Sequence, residues 1–176
     1  MIIILGDSAS GKSTIERMLV KKGYNRIISY TSRPKRDGES DHIDYHFLTA
    51  DQFLYELGNG FFAEDTVYNG WHYGVAKKDM EKDSVVVVER NGFNQLKEWA
   101  KIVNTPIISF YIKVPERDRV IRMMKRGDNV MESFRRIISD QGSFAGVERD
   151  VDYVIRNEWI AEAVVDVINA IKNHDK

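Results

Sequence analysis

The sequence predicts an α/β fold with a mainly parallel central sheet. Two observations carry that expectation. Four short apolar runs, Met1–Leu5, Val85–Val88, Ile107–Val114 and Tyr153–Ile155, read as buried parallel strands. Stretches of helical character separate them, and strands alternating with helices are the signature of a parallel sheet.

Each element has its own reason. Met1–Leu5 opens the sheet and a helix over Ser13–Lys22 follows it. A fifth strand is expected around Tyr24–Ser29. Val85–Val88 is followed by a helix at Asn94–Val103, and Ile107–Val114 by one at Pro115–Lys125, where proline suits a first helical turn. The last helix, Trp159–Ile171, carries Ile160, Val164, Val167, Ile168 and Ile171 as one apolar stripe. Two stretches break the rhythm. Residues 30–80 are rich in aromatics, with short strand-like pieces and a helix at Ala50–Leu57; residues 126–144 are polar and charged. Both read as insertions at the C-terminal edge of the sheet, where ligand-closing lobes belong. The expected organisation is one domain, with a core of 1–29, 81–125 and 145–176, a lobe of 30–80 and a lid of 126–144.

Composition narrows the function classes. Lys plus Arg (26) nearly balances Asp plus Glu (27), a net charge of −1 that argues against a nucleic-acid surface. There is no cysteine, so disulfides, thiolate metal sites and a cysteine nucleophile are excluded, in keeping with a reducing, cytoplasmic setting. The apolar start MIIIL is too short for a signal peptide or a membrane span. The four histidines, His42, His46, His72 and His174, show no metal-ligand spacing and read as structural or exposed.

The chemistry begins at Gly6-Asp7-Ser8-Ala9-Ser10-Gly11-Lys12-Ser13, which matches G-x-x-x-x-G-K-S between a strand and a helix. Glycines permit a tight loop whose N–H groups converge on phosphate oxygens, and the helix adds its positive N-terminal end. This loop, with Thr14 beside it, is expected to hold ATP. Lys12 would reach the β- and γ-phosphates, and the Ser13 hydroxyl would hold Mg²⁺.

A second element reads Ser29-Tyr30-Thr31-Ser32-Arg33-Pro34-Lys35-Arg36-Asp37-Gly38-Glu39, followed by Asp44-Tyr45-His46-Phe47. Arg33 and Arg36 are two guanidinium forks suited to a phosphate, and Tyr45 and Tyr73 offer hydroxyls. With Gly60-Phe61-Phe62-Ala63-Glu64, Tyr73-Gly74, Arg126-Gly127 and Asp152-Tyr153-Val154-Ile155-Arg156-Asn157, the chain resembles the guanylate kinase family nearly end to end. The resemblance implies a P-loop NTPase three-layer fold with a parallel sheet and with monophosphate-binding and lid insertions. It implies ATP-dependent phosphorylation of GMP or dGMP. Ser29, Arg33, Arg36, Tyr45, Glu64, Tyr73 and Glu89 would bind the monophosphate and Asn157 would lie at the ATP. Lys12, Arg122, Arg126 and Arg136 would stabilise the transferring charge, with Arg135 the rival of Arg136. Expected partners are the monophosphate alone, with no nucleic acid or membrane, in a monomer or homodimer.

The chain departs from the family at two places. Val75 stands where a Ser or Thr follows the Y-G turn. Aligned on Gly92, Val87 and Glu89 stand where the family carries two aspartates. A missing hydroxyl contact to a base weakens discrimination by roughly 1 kcal/mol. Two alternatives stay open at this stage: a related P-loop kinase with another acceptor, such as a different monophosphate or a ribose bisphosphate, and a non-catalytic interaction module. Lys12 and Ser13 speak against the module.

Overall fold

The structure, a computed structural model, describes residues 1–68 and 70–174. In chain order its elements are β1 (Ile2–Leu5), α1 (Lys12–Val20), β2 (Asn25–Arg26), β3 (Tyr30–Thr31), β4 (His46–Phe47), α2 (Ala50–Gly58), β5 (Phe62–Tyr68), β6 (Trp71–Ala76), β7 (Ser84–Val87), α3 (Arg90–Ile102), β8 (Ile108–Lys113), α4 (Glu116–Arg126), α5 (Val130–Asp140), β9 (Tyr153–Arg156) and α6 (Ile160–His174).

Strand β1 is apolar at every position because both its faces are covered. Ile2 and Ile4 pack with Ile15 and Leu19 of α1 and Val164, Val167 and Ile171 of α6. Ile3 and Leu5 point the other way, to Phe93 and Leu96 of α3. Each such side chain contributes about 1.5–3 kcal/mol on burial. The sheet runs β2-β7-β1-β8-β9, and every pairing in it is parallel. This is an α/β fold with helices on both faces of the sheet, as expected, and the phosphate-loop turn leaves from its central strand. The fifth strand shrinks to the two residues of β2.

Two helices differ from expectation. Helix α3 starts at Arg90, four residues before Asn94, because burial of Phe93 and Leu96 outweighs the weak helix propensity of Asn91 and Gly92. The polar stretch 126–144 contains a full helix, α5. Asn129 caps it, its side chain accepting the N–H groups of Met131 and Glu132. Glu132 pairs with Arg135 and Arg136 one turn on.

The insertion after β2 builds a second sheet, β4-β3-β6-β5, covered on one side by α2. Strand β5 contains a bulge. Phe62 pairs with Ala76, but Glu64 pairs with Val75, so two steps along β5 match one along β6. Neighbours on β6 face opposite sides of the sheet. Phe62 therefore joins Ala76, Phe53 and Tyr30 under α2, whereas Glu64 turns to the side of Val75 and α3.

Candidate active site

The phosphate loop is held open from inside by its own lysine. Lys12 Nζ donates to the carbonyls of Gly6 (2.5 Å) and Asp7 (2.9 Å), leaving its charge at the loop's mouth. Burial lowers the Lys12 pKa, and Glu89, Asp140 and Asp7 oppose that shift. Gly6 has φ 151°, and a Cβ there would stand 2.6 Å from the Ile112 carbonyl oxygen, so the turn admits glycine alone. Asn157, 1 % exposed, donates from Nδ2 to the Ser10 carbonyl at 2.7 Å and fixes the loop from beneath.

An open cleft of about 330 Å³ leads from this loop to the second sheet. On its far wall Arg33, nearly buried, donates to Glu39 (2.8 Å) and to the Pro34 carbonyl (2.8 Å). Its guanidinium carbon sits 5.5 Å from the Tyr45 ring centre. Glu39 also accepts the Arg36 backbone N–H, so one carboxylate orders both arginines of the element. Arg36, Tyr45, Tyr73 and Ser29 complete this wall, a set of cationic and hydroxyl donors suited to a phosphate dianion.

Between the two anion sites lies Glu64. It is 5 % exposed, and its Oε2 has no hydrogen-bond partner. Burial, with the nearby Asp65 charge, pushes its pKa up to about 8. The carboxylate reaches its place because residue 92 is glycine: a Cβ there would meet Glu64 Oε2 at 2.7 Å. The strand is fixed by Gln95 of α3, whose amide accepts the Asp65 N–H (3.0 Å) and donates to the Asp65 carbonyl (2.6 Å). A buried acceptor without a donor is chemically a site for a ligand bearing N–H groups.

A sequence profile described as guanylate kinase matches residues 1–174. The chain belongs to the guanylate kinase family. The guanylate kinase of Bifidobacterium longum is 28% identical over 97% of this chain and 92% of its own length. That of Chlorobium luteolum is 30% identical over 98% of this chain and 91% of its own length. A crystal structure of guanylate kinase from Anaplasma phagocytophilum superposes with a TM-score of 0.75 at 23% identity, covering 99% of this chain and 85% of that one.

Against that family background, the cleft gathers most of the sequence-predicted residues. Ser8, Lys12, Ser13, Ser29, Arg33, Arg36, Tyr45, Glu64, Tyr73, Glu89 and Arg136 all line it, and so does Arg135. Glu89 lies near Lys12, and burial raises its pKa against the pull of that ammonium. Gly6, Asp7, Ala9, Ser10, Gly11 and Thr14 form the loop and the first turn behind the lining. Three expected residues stand elsewhere. Arg122 donates to the carbonyls of Asn157 (2.5 Å) and Ser10 (3.4 Å), bracing the loop against the last strand. Arg126 pairs with Asp128 at the surface. Asn157 is beneath the loop, not at its mouth. Val75 is 0 % exposed and packs into the core beside Ala63 and Phe93, while Val87 lines the cleft.

Several residues were missed. Thr66 and Tyr68 line the cleft on the same face of β5 as Glu64, and their spacing of two was the available signal. Asp140, the last residue of α5, and Arg119 of α4 meet beside the loop at 2.8 Å. Arg119 also lies 3.6 Å from Asp7, which accepts a hydrogen bond from the Tyr111 hydroxyl. No short-range pattern announces that cluster.

Proposed function

We infer that this guanylate kinase family member transfers the γ-phosphoryl group of ATP to GMP or dGMP. The observation that carries the reading is Glu64: a buried, unpartnered carboxylate between a triphosphate loop and a wall of phosphate donors. Guanine presents two adjacent N–H donors, at N1 and N2, to such an acceptor. Adenine presents an acceptor at its N1, which the ionised carboxylate repels.

In this reading Arg33, Arg36, Tyr45 and Tyr73 hold the acceptor phosphate and the loop holds the donor. One anionic oxygen of the acceptor attacks the γ-phosphorus, and the bond to the β–γ bridging oxygen breaks, its electron pair leaving with ADP. The attacking oxygen is already ionised, so no general base is needed. Lys12 neutralises charge on the donor, and Arg135 and Arg136 reach the transferring group from α5. Ser13 lines the cleft, with Glu89 in the same cleft, an oxygen donor set that fits Mg²⁺. Bound there, the ion would neutralise charge on the β- and γ-oxygens. Among the described residues no helix is long and apolar enough to cross a membrane. The protein is proposed to work in the cytoplasm, as a monomer or homodimer.

The test is a coupled assay with ATP and a panel of GMP, dGMP, AMP, IMP and ribose bisphosphate. GMP or dGMP should dominate. Turnover with ribose bisphosphate alone would move the protein to another acceptor class, and none with any acceptor would refute the reading.

A further inference from the structure

Outside the cleft, one group of side chains has the makings of a separate site. In the connection between β3 and β4, the chain turns back on itself at residues 40–46. The N–H of His42 donates to the Tyr45 carbonyl, and Asp41 bridges to Tyr45. Asp41 Oδ1 accepts the backbone N–H groups of His42 and Phe47, both at 3.0 Å, which fixes the carboxylate. Its Oδ2 is left 3.4 Å from Nε2 of His42. The His46 ring is fixed in turn by stacking on Tyr30 at 4.4 Å. Nδ1 of His42 then meets Nδ1 of His46 at 2.7 Å. Ligand atoms of Asp41, His42 and His46 all lie within 4.8 Å of one another, the one such group of three among the described residues.

Two features set this apart from an ordinary polar turn. His42 has φ 61°, a left-handed conformation that a bulky side chain adopts at an energetic penalty and glycine adopts freely. The turn therefore keeps an imidazole where its own geometry favours glycine. The second is the contact itself. Two neutral imidazoles at 2.7 Å share one proton between two lone pairs, and a divalent cation can take both lone pairs at once.

We propose that Asp41, His42 and His46 form a binding site for one zinc-like divalent cation, distinct from the phosphate cleft. Two imidazoles and one carboxylate suit zinc, nickel or copper and do not suit magnesium, which prefers an all-oxygen shell. Tetrahedral zinc at about 2.0–2.1 Å from each nitrogen needs the nitrogens roughly 3.3 Å apart. The His42 ring must withdraw by about 0.6 Å and turn so that Asp41 Oδ2, which now faces its Nε2, reaches the same ion, and its side chain, 73% exposed, is free to do so. The fourth position stays open to water.

The experiment uses the full chain stripped with chelator and titrated with zinc, with magnesium as the control. Calorimetry gives the stoichiometry, and ¹⁵N-detected imidazole resonances identify the ligands. One zinc per chain, a raised melting temperature and shifted resonances of His42 and His46 are expected, with no such response to magnesium. His42→Gly removes a ligand and suits the left-handed turn. It should melt, without metal, no lower than the parent and should bind zinc more than about 10-fold more weakly. Asp41→Asn keeps the Oδ1 acceptor for both backbone N–H groups while losing the charge, and it should also weaken zinc. Absence of zinc binding by the parent, or binding of parental strength in both variants, would overturn the proposal and reduce the contact to a histidine–histidine hydrogen bond.

Discussion

Asp140, at the end of α5, accepts the backbone N–H of Ser8 in the phosphate loop at 2.8 Å. Its other oxygen faces the Ser8 hydroxyl at 3.2 Å, and Arg119 donates to the same carboxylate. Helix α5 is thus clasped to the loop by an ionic group that is almost wholly buried. Asp140→Ala would leave Arg119, 6 % exposed, with Asp7 at 3.6 Å as its nearest counter-charge. Breaking a buried pair from one side costs about 3–5 kcal/mol. Urea unfolding should show a loss of that order. Asp140→Asn, which keeps an acceptor for the Ser8 N–H, should lose less.

Glu64 makes stability depend on pH in a direction opposite to that of most carboxylates. In the unfolded chain it gives up its proton near 4.5, and in the fold it keeps it to about 8. Between those values the folded state binds more protons, so stability falls as pH rises through the window. Glu64→Gln should flatten that part of the profile, making the variant more stable than the parent at about pH 9 and little changed at about pH 4. Equilibrium unfolding across the range checks this. Because guanine N–H groups favour the ionised carboxylate, GMP binding near neutral pH should release a proton. Calorimetry in buffers of different ionisation enthalpy would detect it.

Lys12 and Arg33 should separate turnover from binding. Lys12→Ala removes the charge at the loop's mouth and should lower kcat by about 10³-fold, the scale on which an arginine finger acts. Arg33→Ala should chiefly raise the KM for GMP and leave that for ATP nearly unchanged. Steady-state kinetics with each substrate varied in turn would read both effects.

The two arginines of α5 should differ. Arg135 holds Glu132 through both Nε and Nη2, and its guanidinium lies 5.9 Å from the Tyr68 ring centre. Arg136 meets Glu132 through Nε, and its Nη1 stands 3.9 Å from Asp128. Its terminal N–H groups are the freer to follow a moving phosphoryl group. Arg136→Ala should therefore lower kcat more than Arg135→Ala. The reverse order would reassign the role.

What could be read from the sequence was whatever local pattern dictates. The isoleucines of β1, the G-x-x-x-x-G-K-S spacing and the Arg33–Arg36 element each carry their meaning within a few residues. The α/β fold and most of the cleft lining follow from them. Helix α5 was hidden although Val130, Phe134, Ile137 and Ile138 recur at helical spacing, because charged neighbours interrupt that stripe and only Ile137 of the four is buried. The Asp7–Arg119–Asp140 cluster joins residues more than a hundred positions apart, and the bracing roles of Arg122 and Asn157 are set by backbone carbonyls that no side-chain pattern reveals. The approach of His42 to His46 was not legible for a related reason: the two meet through a left-handed turn, where helical or strand spacing does not apply.

The bulge between Phe62 and Glu64 means that sequence position alone does not say which side of the sheet a residue of β5 serves. In strict alternation these two residues, two positions apart, would share one side, and the carboxylate would lie under α2 with Phe53. Ala63 is the extra residue that absorbs the difference, so its deletion would leave both side chains on their present sides. The facing of the carboxylate toward the cleft is in that sense a matter of counting along the backbone. A transplanted β5 would keep it only if the irregularity, or an equivalent one-residue shortening, travelled with it.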